Sequence, residues 1–88
     1  MRRLLALLFF TITLGMAHGA NAGPFEDGLA AHSRGDYATA LSLLRPLAAQ
    51  GHAEAQYNLG GMYEAGQGVP KDDKEAVRLY RLAVSTPE

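Results

Sequence analysis

The sequence predicts an all-α fold in which two helical hairpins follow a short N-terminal export segment. Three observations lead to this prediction. Apolar residues recur at helical spacing over the second half of the chain, glycines stand where such helices would end, and the chain resembles itself when shifted by 36 residues. No segment alternates apolar and polar residues as a strand does. We therefore expect four helices within one small domain, because 88 residues allow no more.

The first 22 residues have the three-part pattern of a secretory signal peptide. Two arginines precede an apolar run from Leu4 to Leu14, and small residues follow it. This run of 11 residues is too short to cross a bilayer as a helix. We predict cleavage after Ala22, with Gly19 as an alternative site, and export to the periplasm or out of the cell. An uncleaved membrane anchor and twin-arginine export are the alternatives.

Cleavage would leave one domain, residues 23–88, with six basic and nine acidic side chains and a net charge of −3. Without a basic stripe, the domain is a poor candidate for binding nucleic acid or an anionic membrane surface. The chain contains no cysteine, so disulfides cannot compensate for a small core and no lipid-carrying cysteine follows the export segment. We therefore expect neither nucleic acid nor a stable membrane anchor among its partners.

The first predicted hairpin joins a helix over residues 25–33 to a helix over residues 37–49. Gly35 suits the left-handed stop after a helix, and Asp36 suits the N-cap of the next one. Pro46 falls inside the second helix, where it removes a backbone hydrogen bond and should bend the helix. The predicted inward positions of the second helix follow helical spacing: Ala40, Leu41, Leu43, Leu44, Leu47 and Ala48.

The second predicted hairpin joins helices over residues 53–65 and 73–85. Asp72 is the predicted N-cap of the last helix, and Glu75, three residues on, completes the pattern of a capping box. In the last helix, apolar residues at helical spacing predict an inward face made of Ala76, Val77, Leu79, Tyr80 and Ala83.

Gly60 lies inside a predicted helix, where glycine costs about 1 kcal/mol relative to alanine. We expect Gly60 to face Ala76 across the hairpin, because two small residues let the helix axes approach closely. Ala83 extends this small face, and Tyr63 and Tyr80 are expected to pack over the gap.

The glycine-rich stretch 66–70 allows a structural and a functional interpretation. In the structural one, Gly66 ends the third helix, Gly68 adds a second flexible point, Val69 folds back onto the hairpin and Pro70 aims the chain into the fourth helix. The functional alternative is a phosphate-binding loop. The spacing of glycines and lysine that is typical of such a loop is absent, no strand precedes the stretch, and Pro70 offers no N–H to an anion. We favour the structural interpretation.

The stretch AEAQYNLGGMYEAGQGVPKDDKEAVRLYRLA, residues 53–83, resembles the Sel-one-like repeats, a branch of the tetratricopeptide repeat superfamily. The preceding RGDYATALSLLRPLAAQGHAEAQ resembles the opening unit of such proteins, so about two units cover essentially all of residues 23–88. The resemblance implies a right-handed superhelix of helix pairs that serves as a protein-binding scaffold in bacterial envelopes. The residues that carry it are Leu59, Gly60, Tyr63, Gly66, Gly68, Val69, Pro70, Asp72, Ala76, Tyr80 and Ala83.

In this family the first helix of each pair lines the concave side that meets a ligand. The resemblance therefore implies a non-catalytic adaptor or scaffold for a protein or peptide of the cell envelope. Tyr57 is the best single candidate, because a tyrosine offers apolar area with a polar tip. Carried over by position, the partner-binding residues are Phe25, Leu29, His32, Glu54, Tyr57 and Glu64.

No motif of the chain predicts catalysis, a metal site or a cofactor. His32 and His52 have no partner at metal-ligand spacing, and we interpret them as surface residues. Capping and solvation account for Asp72 and Asp73 without a role as paired carboxylates. The alternative function is a β-lactam or cell-wall hydrolase, which a cysteine-rich branch of the family suggests, although this chain lacks those cysteines.

The last predicted helix has no successor, whereas helical solenoids generally contain three or more repeats and a polar terminal cap. Leu79, Leu82 and Val84 are therefore expected to form an exposed apolar strip. Such a strip predicts one of three outcomes: self-association through the last helix, a truncated fragment of a longer repeat array, or a domain that tolerates low stability.

Overall fold

The computed structural model describes residues 23–85, which form four α-helices. The described residues contain no strand, so the predicted all-α class and its two hairpins are confirmed. The predicted helix ends agree with the observed ones, except for one residue at the start of the first helix and one at the end of the last. The predicted export segment and its cleavage site lie outside the described residues. The helices are α1 Pro24–Ser33, α2 Tyr37–Ala49, α3 Ala53–Ala65 and α4 Asp73–Val84.

Side chains at the N-cap position mark the start of three helices. Asp36 and Asp72 each accept a hydrogen bond from the backbone N–H three residues on, at 3.3 and 3.1 Å. His52 caps α3 in the same way, because its Nδ1 accepts from the Ala55 N–H at 3.1 Å. Each cap satisfies a backbone donor that the first turn of a helix leaves free.

The predicted capping box at the start of α4 is only half formed. The backbone N–H of Asp72 donates to the Tyr63 carbonyl at 2.9 Å rather than to Glu75. The Glu75 carboxylate instead accepts two hydrogen bonds from Arg78, at 3.0 and 2.6 Å. The prediction was wrong on this point because the Tyr63 carbonyl of α3, and not the Glu75 side chain, accepts the hydrogen bond from the Asp72 N–H. The resulting bond ties the start of α4 to the last turns of α3.

The core lies along the contacts between successive helices: α1 packs on α2, α2 on α3 and α3 on α4. α2 runs unbroken through Pro46. Among residues 23–85, the two largest side chains with no exposed surface are Leu44 and Met62. Small residues fill the space between the helices, so the helix axes can approach closely. The buried apolar residues are Ala31, Ala40, Leu41, Leu44, Ala48, Ala55, Leu59, Met62, Ala76 and Leu79.

The two hairpins repeat one packing contact between a glycine and a large side chain. A Cβ atom added at Gly28 would lie 2.9 Å from Leu44 Cδ2, and one added at Gly60 would lie 2.8 Å from Tyr80 Cε1. The Gly60 position is also 3.3 Å from the Ala76 carbonyl oxygen. In each hairpin, a large side chain of the second helix therefore packs directly against a glycine of the first helix. This close approach explains why glycine is present inside a helix despite its low helix propensity.

The loop between α3 and α4 packs back onto the first hairpin. Gly66 and Gly68 adopt left-handed backbone conformations, with φ angles of +70° and +76°. A Cβ added at Gly68 would lie 2.8 Å from Tyr37 Cβ and 3.0 Å from Leu41 Cδ1. Val69 packs against the core. These contacts support the structural interpretation of the glycines, because the loop lies against α2.

Two predictions for α4 are wrong, and both concern which side of the helix faces the core. The sequence predicts an inward Val77, but this side chain is 44% exposed because no described element covers that side of α4. The sequence places Leu79 both in the inward face and in the exposed strip; this residue is only 3% exposed and joins the core, so the inward prediction is confirmed and the exposed one is wrong. Leu82 and Val84 are exposed, as predicted.

Candidate functional site

One groove brings together four of the six predicted partner-binding residues. It has a volume of about 460 Å³ and is bordered by α1, α3 and the last turn of α4. His32 and Glu64 are not part of it. The predicted residues that line the groove are Phe25, Leu29, Glu54 and Tyr57, and the other lining residues are Ala53, Asn58, Ala83 and Val84.

Phe25 is held at the groove by the residue that caps α3. Its ring centroid lies 4.7 Å from that of His52, with the two rings tilted by 33°. Because the His52 Nδ1 atom is bonded to the start of α3, this contact joins the beginning of α1 to the beginning of α3. Phe25 is thus held at the groove by packing on His52, and the position of His52 is in turn fixed by its hydrogen bond with the Ala55 N–H.

Tyr57 is the large exposed aromatic side chain of the groove. It is 63% exposed, yet its ring centroid lies 5.4 Å from that of Tyr80. The Tyr80 hydroxyl in turn donates a 2.6 Å hydrogen bond to Glu64 Oε1. Tyr80 also covers Gly60, whereas Tyr63 packs against the core and does not share this contact. Tyr57 therefore offers apolar area to a partner while its inner edge rests on a fixed ring.

Glu54 gives the groove a negative charge. No basic side chain among residues 23–85 forms an ion pair with its carboxylate. Asn58, one helical turn on, donates from Nδ2 to the Glu54 backbone carbonyl at 2.8 Å. A cationic group of a ligand could therefore approach this carboxylate without displacing a side chain of the described chain.

The two predicted residues outside the groove have structural contacts of their own. His32 Nε2 lies 2.8 Å from Gln67 Oε1, and its ring centroid lies 5.4 Å from that of Tyr37. These contacts join the end of α1 to the loop before α4. Glu64 accepts the hydrogen bond from Tyr80 and lines a separate recess of about 440 Å³.

Sequence reasoning did not place Ala53, Asn58 or Val84 in the site, and it gave Ala83 only a structural role. Ala83 and Val84 reach the groove because α4 runs antiparallel to α3, so the end of α4 lies beside the start of α3. The predicted hairpin already implied this position, because two antiparallel helices place the end of the second beside the start of the first. Ala53 and Asn58 are the direct sequence neighbours of the predicted residues Glu54 and Tyr57 on α3.

The Tyr80–Glu64 hydrogen bond predicts a late tyrosine ionisation. This bond, followed by burial and the charge of Glu64, raises the pKa of Tyr80 from 10.0 to about 12. Because the folded-state pKa is raised, the extra stability is fully present below pH 10.0 and is lost as the pH rises to about 12. In a spectrophotometric titration, one of the four tyrosines should ionise near pH 12.

Two variants check this assignment. Tyr80→Phe should remove the late step, and Glu64→Gln should move it down toward the ordinary tyrosine range because the neighbouring negative charge is gone. A late step that survives in Tyr80→Phe would assign it to another tyrosine and contradict the geometry. The unfolding midpoint of Tyr80→Phe should also fall less between pH 10.0 and 12 than that of the parent protein.

Among residues 23–85, no group of three or more histidine, aspartate, glutamate or cysteine side chains is placed to hold a metal ion. None of the four described helices combines the length and the apolar character that crossing a membrane requires.

The sequence matches the Sel1 repeat family twice, over residues 20–52 and 53–85. It is 36% identical over 62 residues to an exopolysaccharide production negative regulator of Rhizobium leguminosarum bv. viciae, an alignment covering 67% of this chain and 23% of that protein. It is 45% identical over 43 residues to DAP3-binding cell death enhancer 1 of Rattus norvegicus, covering 49% of this chain and 8% of that protein. No solved structure matches the chain.

The chain thus spans less than a quarter of the length of either relative. The two matched segments meet between residues 52 and 53, which is where the second hairpin begins with α3. The family match and the fold therefore divide the chain at the same point. This chain belongs to the Sel1 repeat family, whose repeats generally serve as protein–protein interaction modules.

Proposed function

We propose that this chain is a non-catalytic adaptor of the bacterial cell envelope that binds a segment of another protein in the groove between α1 and α3. The observation that carries the proposal is Tyr57, which is 63% exposed while its ring is supported by Tyr80. An aromatic side chain that is already positioned loses little conformational freedom on binding. Such residues often dominate the energy of protein interfaces.

The charge and shape of the groove favour a particular kind of segment. Phe25, Leu29 and Tyr57 present apolar surface, and Glu54 adds an acidic group beside it. A lysine or arginine next to an apolar or aromatic residue would match this arrangement. A strongly acidic segment would be repelled, because residues 23–88 carry a net charge of −3.

Two observations support the envelope location. Residues 1–22 have the composition of an export segment, and one relative is a bacterial regulator of exopolysaccharide production. Cell fractionation with mass spectrometry of the purified protein tests the location. We expect a periplasmic or released form that begins at Gly23. A cytoplasmic form that keeps Arg2 and Arg3 would contradict the proposal.

A pull-down from an envelope extract tests the groove. Tyr57→Ala should reduce recovery of a bound protein by roughly 30-fold, because an anchor residue contributes about 2 kcal/mol. Tyr57→Phe is the matched control, since it keeps the ring and should retain most of the binding. Both variants should fold like the parent protein in circular dichroism because Tyr57 is exposed. Equal recovery with Tyr57→Ala would remove the groove from the binding site.

Self-association through α4 is a separate proposal. It rests on Leu82 and Val84, which are 41% and 77% exposed. Sedimentation of the purified protein at increasing concentration would show it as a growing dimer fraction. A monomer at all concentrations would exclude it without affecting the proposal for the groove.

A further inference from the structure

A recess between α2 and α4 lies on the side of α3 that faces away from the groove. This α2–α4 recess has a volume of about 570 Å³ and shares no lining residue with the groove. From α3, Gln56 and Leu59 line the recess, whereas Glu54 and Tyr57 line the groove. The volume is within the usual range for small-molecule sites, which combine an apolar lining with a few fixed polar groups. The polar groups of the recess therefore indicate which ligand would fit.

Gln56 is the one buried polar side chain among residues 23–85, and α2 holds it in place. Its Nε2 atom donates to the Ala48 carbonyl at 3.0 Å, and the residue is only 6% exposed. Among the same residues, no group donates a hydrogen bond to its Oε1 atom. A buried oxygen without a donor is costly, so a ligand N–H gains more here than at an exposed oxygen.

The α2–α4 recess also carries one positive charge that no described carboxylate neutralises. Arg78 is paired, because its guanidinium donates two hydrogen bonds to Glu75, at 3.0 and 2.6 Å. Arg45, on the α2 side, forms no ion pair among residues 23–85. A guanidinium can donate two parallel hydrogen bonds to a carboxylate, so Arg45 favours a ligand with that group.

Three leucines give the recess its apolar surface. Leu59 and Leu79 are 5% and 3% exposed and belong to the core, so their positions are fixed by packing. Leu82 is 41% exposed and lines the same recess. An apolar group placed here would remove part of the Leu82 surface from water, which favours binding.

We propose that the α2–α4 recess binds a small carboxylic acid that carries an amide N–H and an apolar side chain, as an N-acylated apolar amino acid does. Its carboxylate pairs with Arg45, its N–H donates to Gln56 Oε1, and its side chain lies on Leu82. This ligand is anionic, whereas the segment proposed for the groove is cationic. The two sites therefore select different ligands and can be tested separately.

A titration of the isotope-labelled full chain with N-acetyl-leucine, followed by NMR, tests the site. The side-chain amide signals of Gln56 should shift as the ligand is added. Three analogues each remove one group: N-acetyl-leucine amide lacks the carboxylate, isocaproic acid lacks the amide and N-acetylglycine lacks the apolar side chain. Each analogue should bind at least about tenfold more weakly. Unshifted Gln56 signals, or equal affinity for N-acetyl-leucine and its amide, would overturn the proposal.

Arg45→Gln should weaken the binding of N-acetyl-leucine at least about tenfold. Arg81→Gln is the matched control, because the 36-residue shift places Arg45 on Arg81 and Arg81 does not line the recess. Both arginines are exposed, so both variants should fold like the parent protein in circular dichroism. Arg81→Gln should bind the ligand as the parent protein does. Equal weakening by both substitutions would reduce the effect to overall charge and contradict the assigned site.

The end of a polypeptide presents the same chemical groups as N-acetyl-leucine. An acetylated tripeptide that ends in leucine separates the two sources in the same titration. Tighter binding of the tripeptide would identify a protein C-terminus as the source, and equal or weaker binding would identify a free acid. Both results agree with the proposal, whereas binding of the tripeptide that is unaffected by Arg45→Gln would contradict it.

Discussion

Leu44→Ala is expected to lower the free energy of unfolding by about 2–5 kcal/mol. Leu44 has no exposed surface and seats its Cδ2 atom 2.9 Å from the Cβ position of Gly28. Truncation leaves a cavity between α1 and α2, and rigid helices cannot collapse fully to fill it. Because a domain of this size has a small free energy of unfolding, the variant should unfold at a much lower urea concentration than the parent protein.

Urea unfolding followed by circular dichroism measures this loss. Leu82→Ala is the matched control, because it removes the same atoms from a side chain that is 41% exposed. The control should lose less than about 1 kcal/mol. Similar losses in both variants would mean that Leu44 does not belong to the core.

Most of the fold could be predicted because its determinants are local. The helical spacing of apolar residues in α2 predicts the buried Leu41 and Leu44, and Asp36 and Asp72 mark helix starts with their own side chains. The start of α3 has no such signal, since histidine is not among the residues that favour the N-cap. The His52 cap became visible only in the structure.

The orientation of α4 could not be predicted fully from its sequence. Apolar residues occur on more than one side of this helix, so spacing alone allows either Val77 or Leu79 to face inward. Packing against α3 decides between them: Leu79 joins the core, and Val77 stays 44% exposed. When a helix packs against one neighbour, its apolar pattern defines the buried side less strongly than when the helix is covered on two sides.

The candidate site was predictable where one helix face defines it. Phe25 and Leu29 share α1, Glu54 and Tyr57 share α3, and the structure brings these four together. His32 shares α1 with Phe25, but its ring contacts Gln67, which lies 35 residues away in sequence. No spacing rule could predict that hydrogen bond, because it depends on where the loop after α3 folds back.

Gly60→Leu is expected to lower the free energy of unfolding by about 3 kcal/mol. The first added atom would lie 2.8 Å from Tyr80 Cε1 and 3.3 Å from the Ala76 carbonyl oxygen. The Tyr80 ring is held by its hydrogen bond to Glu64 and by its contact with Tyr57, so it cannot move aside without losing both. The variant should also lose the late tyrosine ionisation in the absorbance titration.

The most direct test of the close approach of α3 and α4 compares two neighbouring glycines. The nearest atom to the Cβ position of Gly61 is the Tyr80 hydroxyl oxygen at 3.7 Å, an ordinary contact distance. An alanine there should therefore keep its gain of up to about 1 kcal/mol in helix propensity. At Gly60 the same gain is outweighed by the crowding, so we expect a net loss of about 1–2 kcal/mol.

Urea unfolding of Gly60→Ala and Gly61→Ala under identical conditions measures both changes. Opposite signs, with Gly61→Ala more stable and Gly60→Ala less stable than the parent protein, are the result we predict. Equal stabilisation by both substitutions would show that position 60 has room for a side chain, and would contradict the packing of α4 on a glycine of α3.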